Sequence, residues 1–108
     1  MNTTEIILDE QHHNQQVEVA YKDTLLVELS HQPGIGYYWV WQQADSIPNK
    51  LKLIGEEVLS EQSRPGGEAL QQFCFSAIEK GEYKLNLDLK RHWENSVLRQ
   101  YSVSLQIK

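Results

Sequence analysis

Cys74, His92 and the pair His12-His13 are the residues whose types could carry covalent or metal chemistry. Cys74 with His92 would supply a nucleophile and a base. The local pattern argues against it. Cys74 lies between Phe73 and Phe75, which share one parity of an apolar run, so its thiol points to the opposite face of that strand, away from any loop. On a strand, His12 and His13 would point to opposite faces, and no cysteine or carboxylate cluster at zinc spacing accompanies them. No catalytic residue, metal or cofactor is therefore expected. The remaining residues of interest are suited to non-covalent recognition. Arg91 and Trp93 are the residue types that anchor protein interfaces. The segment Gln32-Pro33-Gly34-Ile35-Gly36-Tyr37 places a proline and two glycines within four residues, which ends any strand, and carries an apolar Ile35 where a loop would meet water.

These residues are held by elements that read as strands. Val17, Val19 and Tyr21 alternate with polar neighbours, as do Leu25, Val27 and Leu29. Tyr37, Trp39 and Trp41 share a parity, with Trp39 the inter-sheet core candidate and Trp41 nearer the rim. Leu51 to Leu59 forms a further strand with Gly55 as a possible bulge, and Leu70 to Ile78 carries Phe73, Phe75 and Ala77 on one face. Tyr83, Leu85, Leu87 and Leu89 give the clearest alternation, and Val97 to Ile107 the last. With Glu5 to Asp9 at the start and a polar turn over 9–15, this makes about eight short strands and no helical stripe. The expected fold is all-β, an immunoglobulin-like antiparallel β-sandwich with no disulfide, because the chain has one cysteine.

Antiparallel order places the loops. If Thr24 to Ser30 runs upward, the strand ends at Ser30, Leu59 and Lys90 all point the same way. The connections 31–36, 61–69 and 91–96 then share one end, as the binding loops of antibody variable domains do. That end gathers Pro33, Ile35, the Pro65-Gly66-Gly67 turn, Arg91 and Trp93.

Bulk properties narrow the partner. A chain of 108 residues suits one domain, 1–108, around one core. A net charge of −5 and a pI near 5.3 speak against nucleic acid or an anionic membrane. No apolar run is long enough to span a bilayer. Met1 to Glu5 lacks the basic start and apolar stretch of a signal peptide, which leaves open a cytoplasmic protein or the mature form of a periplasmic or secreted one. The domain is expected to act as a monomer.

Three motifs in order resemble the chagasin family of cysteine-peptidase inhibitors, over nearly the whole chain. The family's Asn-Pro-Thr-Thr-Gly-Tyr/Phe, with Trp two residues on, corresponds to Gln32-Pro33-Gly34-Ile35-Gly36-Tyr37 and Trp39. Its glycine-rich segment corresponds to Pro65-Gly66-Gly67, followed by Phe73-Cys74-Phe75, and its Arg-Pro-Trp to Arg91-His92-Trp93-Glu94. The chain departs from the family at Gln32, Gly34, Ile35 and His92. The resemblance implies that the first loop enters the cleft of a papain-like cysteine peptidase and that the other two loops clamp its sides. It implies peptidase-binding roles for residues 32–37, 65–67 and 91–93, and an inhibitor rather than an enzyme. Ile35 fills space where the family has a threonine and offers no hydroxyl. The alternative is an immunoglobulin-like adhesion or interaction module without peptidase inhibition.

Overall fold

The computed structural model describes residues 5–31, 36–43, 50–60 and 69–108. Eight strands form among the described residues: β1 (Glu5–Leu8), β2 (Gln16–Val19), β3 (Thr24–His31), β4 (Tyr38–Gln42), β5 (Leu51–Ser60), β6 (Ala69–Ala77), β7 (Gly81–Lys90) and β8 (Arg99–Ile107). They make two four-stranded sheets, in the orders β1-β3-β6-β5 and β2-β8-β7-β4. The alternation seen in the sequence is the alternation between core and outer face. Leu25, Val27 and Leu29 of β3 meet Phe73, Phe75 and Ala77 of β6 in the core, facing Leu85, Leu87 and Leu89 of β7 and Tyr101, Val103 and Leu105 of β8. Each large apolar side chain so buried contributes roughly 1.5–3 kcal/mol. With no disulfide available, this packing is what holds the sheets face to face. Trp39 is buried, its ring edge-on to Tyr101 at 6.4 Å. Trp41 is half-buried and meets Phe75 edge-on at 4.9 Å.

The sandwich is not antiparallel throughout. The four pairings β3–β6, β5–β6, β4–β7 and β7–β8 are antiparallel, but β1 runs parallel to β3 and β2 parallel to β8. The first segment runs up the edge of one sheet, crosses over, and runs down the edge of the other. The segment 9–15, read as a plain turn, makes that crossing with a single 3-10 turn, Glu10–His12. Asp9 caps the turn, accepting from the Gln11 N–H at 3.0 Å. The Tyr101 hydroxyl donates to the Asp9 carbonyl at 2.8 Å and fixes the crossing to β8. The two adjacent histidines therefore lie on this turn rather than on a strand. His12 Nδ1 lies 3.1 Å from the Asp9 carboxylate, while His13 stacks on Tyr101 and accepts from the Ser102 N–H at 3.1 Å. Both have structural partners, and among the described residues no group of three or more potential metal ligands gathers.

Gly55 is a bulge. The register of β5 on β6 slips between Leu53 and Gly55, so Leu53 faces the core with Phe75 while Gly55 lies opposite the outward Cys74. Beyond the slip, Glu56 pairs with Phe73 and Val58 with Gln71, which puts Glu56 on the inward parity. Cys74 itself pairs with Leu26 on the outer face, where burial first and then the negative charge of Glu5 push the thiol pKa up. That is the reverse of what a nucleophile needs. It also lies on the opposite sheet from the strands that frame His92.

Candidate functional site

The loop end is built on strand stems that the register brings side by side. His31, the last residue of β3, pairs with Ala69, which pairs in turn with Ser60, the last residue of β5. In the other sheet Tyr38 pairs with Lys90, and Leu89 with Arg99. The connections 32–37, 61–68 and 91–98 therefore leave from one end of the sandwich. Because β1 also runs upward beside β3, the 3-10 turn shares that end, and the Glu10 carboxylate accepts from Ser30 N at 2.7 Å and Ser30 Oγ at 2.9 Å.

Two of these connections touch directly. Gly36 has φ +85°, a conformation that non-glycine residues reach only under strain. A Cβ added there would overlap Trp93 Cη2 and sit 3.3 Å from its Cζ2 and Cζ3. The indole thus rests on bare glycine backbone, and only glycine leaves room for it. The Arg91 guanidinium carbon lies 4.5 Å from the Tyr37 ring centroid and 5.9 Å from that of Trp93, joining the two aromatic residues by cation–π contact. Arg91 Nη1 donates to Glu94 Oε1 at 3.0 Å, and the Glu94 N–H donates to the Arg91 carbonyl at 3.1 Å, which closes a tight turn around His92 and Trp93. A partly exposed pair of this kind is worth at most about 1 kcal/mol, so its consequence is orientation more than stability. His92 is exposed and meets the Trp93 ring edge-on at 4.8 Å.

Despite these contacts Trp93 is 61% exposed, the most exposed large apolar residue among those described. A tryptophan held on one face and left open on the other has its rotamer set in advance and its area still available to a partner. Gly36, Tyr37, Arg91, His92 and Trp93 are thus brought into one cluster. Gln32, Pro33, Gly34 and Ile35 of the first motif, and Pro65, Gly66 and Gly67 of the second, lie outside the described residues.

Two residues of this end escaped the sequence reading. Val97 shares parity with Tyr101 and Val103, so the sequence pattern starts the last strand there. Instead β8 begins at Arg99, and Val97 and Leu98 belong to the connection, with Leu98 56% exposed. The Leu98 N–H donates to the Leu89 carbonyl at 2.8 Å, which holds its backbone at the mouth of the β7–β8 hairpin. The signal in the sequence was Val97-Leu98 as consecutive apolar residues, which a strand with one solvated face would not carry.

At the root of two loops sits a buried histidine. His31 Nδ1 donates to the Ala69 carbonyl at 3.1 Å, its ring is 5.0 Å from that of Tyr38, and Nε2 has no hydrogen-bond partner among the described residues. Protonating Nε2 would bury an unpaired N–H and a charge. Burial therefore lowers the pKa of His31, an effect partly offset by the Ala69 bond. The unfolded chain then binds this proton more readily than the folded one. The contribution is intact above the ordinary histidine pKa of about 6.5 and is lost as pH falls below it. Urea denaturation midpoints should decline between about pH 7 and pH 5, and the decline should be shallower in His31→Leu, in which this group is absent. An identical slope in that variant would assign the dependence to other groups.

Comparison with known proteins bears on the family and the fold. The description "Chagasin family peptidase inhibitor" belongs to the family whose profile matches residues 18–107. Among solved structures, the chain is similar to a cysteine protease inhibitor from Entamoeba histolytica, with a TM-score of 0.84 at 19% identity and 96% of each chain covered. It is similar to Amebosin, with a TM-score of 0.78 at 19% identity, covering 97% of this chain and 99% of that one. A third similar structure is PbICP-C, solved in complex with falcipain-2, with a TM-score of 0.58 at 14% identity, covering 98% of this chain and 91% of the other. No curated protein sequence matches. At such identities the structures speak for the fold. The family follows from the profile, which takes in all three motif regions and every strand from β3 to β8: the chain belongs to the chagasin family of peptidase inhibitors.

Proposed function

We propose that the chain, as a single domain over residues 1–108, is a reversible inhibitor of papain-like cysteine peptidases that fills the active-site cleft with the three loops of one end and is not itself an enzyme. The observation that carries this reading is the seating of Trp93 on Gly36 with Arg91 between Tyr37 and Trp93, which joins two loops into one preorganised surface. The family supports it, and so does the complex of the related PbICP-C with falcipain-2. In this reading Gln32 to Tyr37 enters the cleft, Pro65-Gly66-Gly67 lies along one wall, and Arg91, His92 and Trp93 along the other. Val97 and Leu98 extend the apolar area on the Trp93 side. Inhibition is steric: the loops exclude substrate, and because the contact of Trp93 with Gly36 and of Arg91 with Tyr37 is formed before binding, ordering that part of the surface costs little entropy.

The test is binding to a papain-family peptidase in two states. The free enzyme should bind, and the same enzyme carrying a bulky covalent peptidyl inhibitor in its cleft should not. Equal binding to both states would place the contact away from the cleft and contradict the proposal.

A further inference from the structure

Gln71 is the second residue of the inward row of β6 that continues through Phe73 and Phe75, and it is 1% exposed. A buried carboxamide must find its hydrogen bonds inside the protein. Here it finds all of them outside its own sheet's ladder. Its Oε1 accepts from the Trp39 N–H at 2.8 Å, and its Nε2 donates to the Trp39 carbonyl at 2.8 Å. The second Nε2 hydrogen goes to Glu56 Oε1 at 2.9 Å, within reach because the bulge at Gly55 gives the exposed Glu56 the parity of the Gln71 row. Since β4 is the edge of its sheet, the side chain of Gln71 satisfies the Trp39 backbone much as a neighbouring strand would. The Trp39 indole N–H adds a bond to the Ser30 carbonyl at 2.9 Å, on the other side of the first loop.

We infer that Gln71 is a positioning residue for inhibition: its carboxamide, clamping the Trp39 backbone across the sandwich, sets the height and tilt at which the first loop is presented, three residues after Gly36. The two ends of that loop belong to different sheets, β3 in one and β4 in the other. Nothing in the β3–β6 or β4–β7 ladders fixes one sheet against the other along the strand direction, and apolar packing is tolerant of small slides. The Gln71 clamp is directional, and it acts at the loop's downstream stem. This inference rests on the proposed inhibitory role of the loop end.

The test uses two variants. Gln71→Leu keeps the bulk but leaves the Trp39 N–H and carbonyl without their partner. It should weaken inhibition of a papain-family peptidase by about tenfold or more and speed hydrogen exchange at the Trp39 amide. Gln71→Glu separates positioning from mere bulk through pH. Protonated, the introduced carboxyl has a carbonyl oxygen for the Trp39 N–H and an O–H for the Trp39 carbonyl, so the clamp is rebuilt. Ionised, it is an acceptor only and faces the Glu56 carboxylate. Burial and that like charge raise its pKa, so the clamp is present at low pH and lost as pH rises. Relative to wild type measured at the same pH, Gln71→Glu should inhibit nearly as well at about pH 5 and at least several-fold less well at about pH 7.5. A constant ratio across pH, or wild-type inhibition constants for Gln71→Leu, would overturn the inference. Absence of inhibition by the wild-type protein would instead overturn the inhibitor reading, while the Trp39 amide exchange would still report on the clamp.

Discussion

Trp93→Ala is expected to raise the inhibition constant against a papain-family peptidase by roughly 30-fold to 1,000-fold, the range of an interface anchor worth about 2–4 kcal/mol. Folding stability should change by less than about 1 kcal/mol, because the indole is 61% exposed and sits outside the sandwich core. The two losses are unequal because Trp93 contributes little to the free protein. Among the described residues Trp93 touches Gly36, His92 and Arg91, and none of these contacts belongs to the sandwich core. In the complex its open face would be covered, with its rotamer already selected. Inhibition constants and urea midpoints, read on the same samples, check both halves of this expectation. A large loss of stability would make Trp93 a structural residue, and an unchanged inhibition constant would remove it from the contact surface.

Gly36→Ala is the second large effect, and it reaches the same surface from beneath. The backbone there has φ +85°, so a side chain costs about 1–2 kcal/mol in strain alone. The new Cβ would also overlap the Trp93 ring, whose rigid indole cannot fold aside as a flexible chain end would. The ring must leave its seat, and Arg91 loses one of its two aromatic partners. Inhibition should fall by at least about tenfold beyond what the stability change explains. The pair also makes a double-mutant cycle. With Trp93→Ala already in place the steric part vanishes, so the further effect of Gly36→Ala on inhibition should be much smaller than in the wild-type background. Strict additivity would mean that the Gly36–Trp93 contact does not shape the binding surface.

Much of this was legible in the residues, and the exceptions have physical reasons. Alternation carried the strands, because Leu85, Leu87 and Leu89 can face one core only as a strand. Strand parity also placed Cys74 outward. What alternation does not encode is which strand lies beside which. The parallel pairings of β1 with β3 and β2 with β8 depend on short edge segments, where four residues and a capped 3-10 turn decide the crossing. Val97 was misread because its parity matched that of the strand ahead of it. Gln71 was invisible as anything but a polar residue in an apolar row. Its partner is the backbone of another sheet, and no spacing in the sequence announces such a contact. His31 was hidden likewise, since a histidine closing a strand reads as solvated until its pairing with Ala69 is known.

As an inhibitor, this domain would stop a papain-like cysteine peptidase by occupying its cleft. The most direct measurement is titration of the folded protein against papain and cathepsin L-like peptidases with a fluorogenic peptide substrate, followed by recovery of the inhibitor. The expected result is inhibition that competes with substrate, reverses on dilution and leaves the chain uncut. Full peptidase activity in the presence of folded protein at concentrations on the order of micromolar would contradict it.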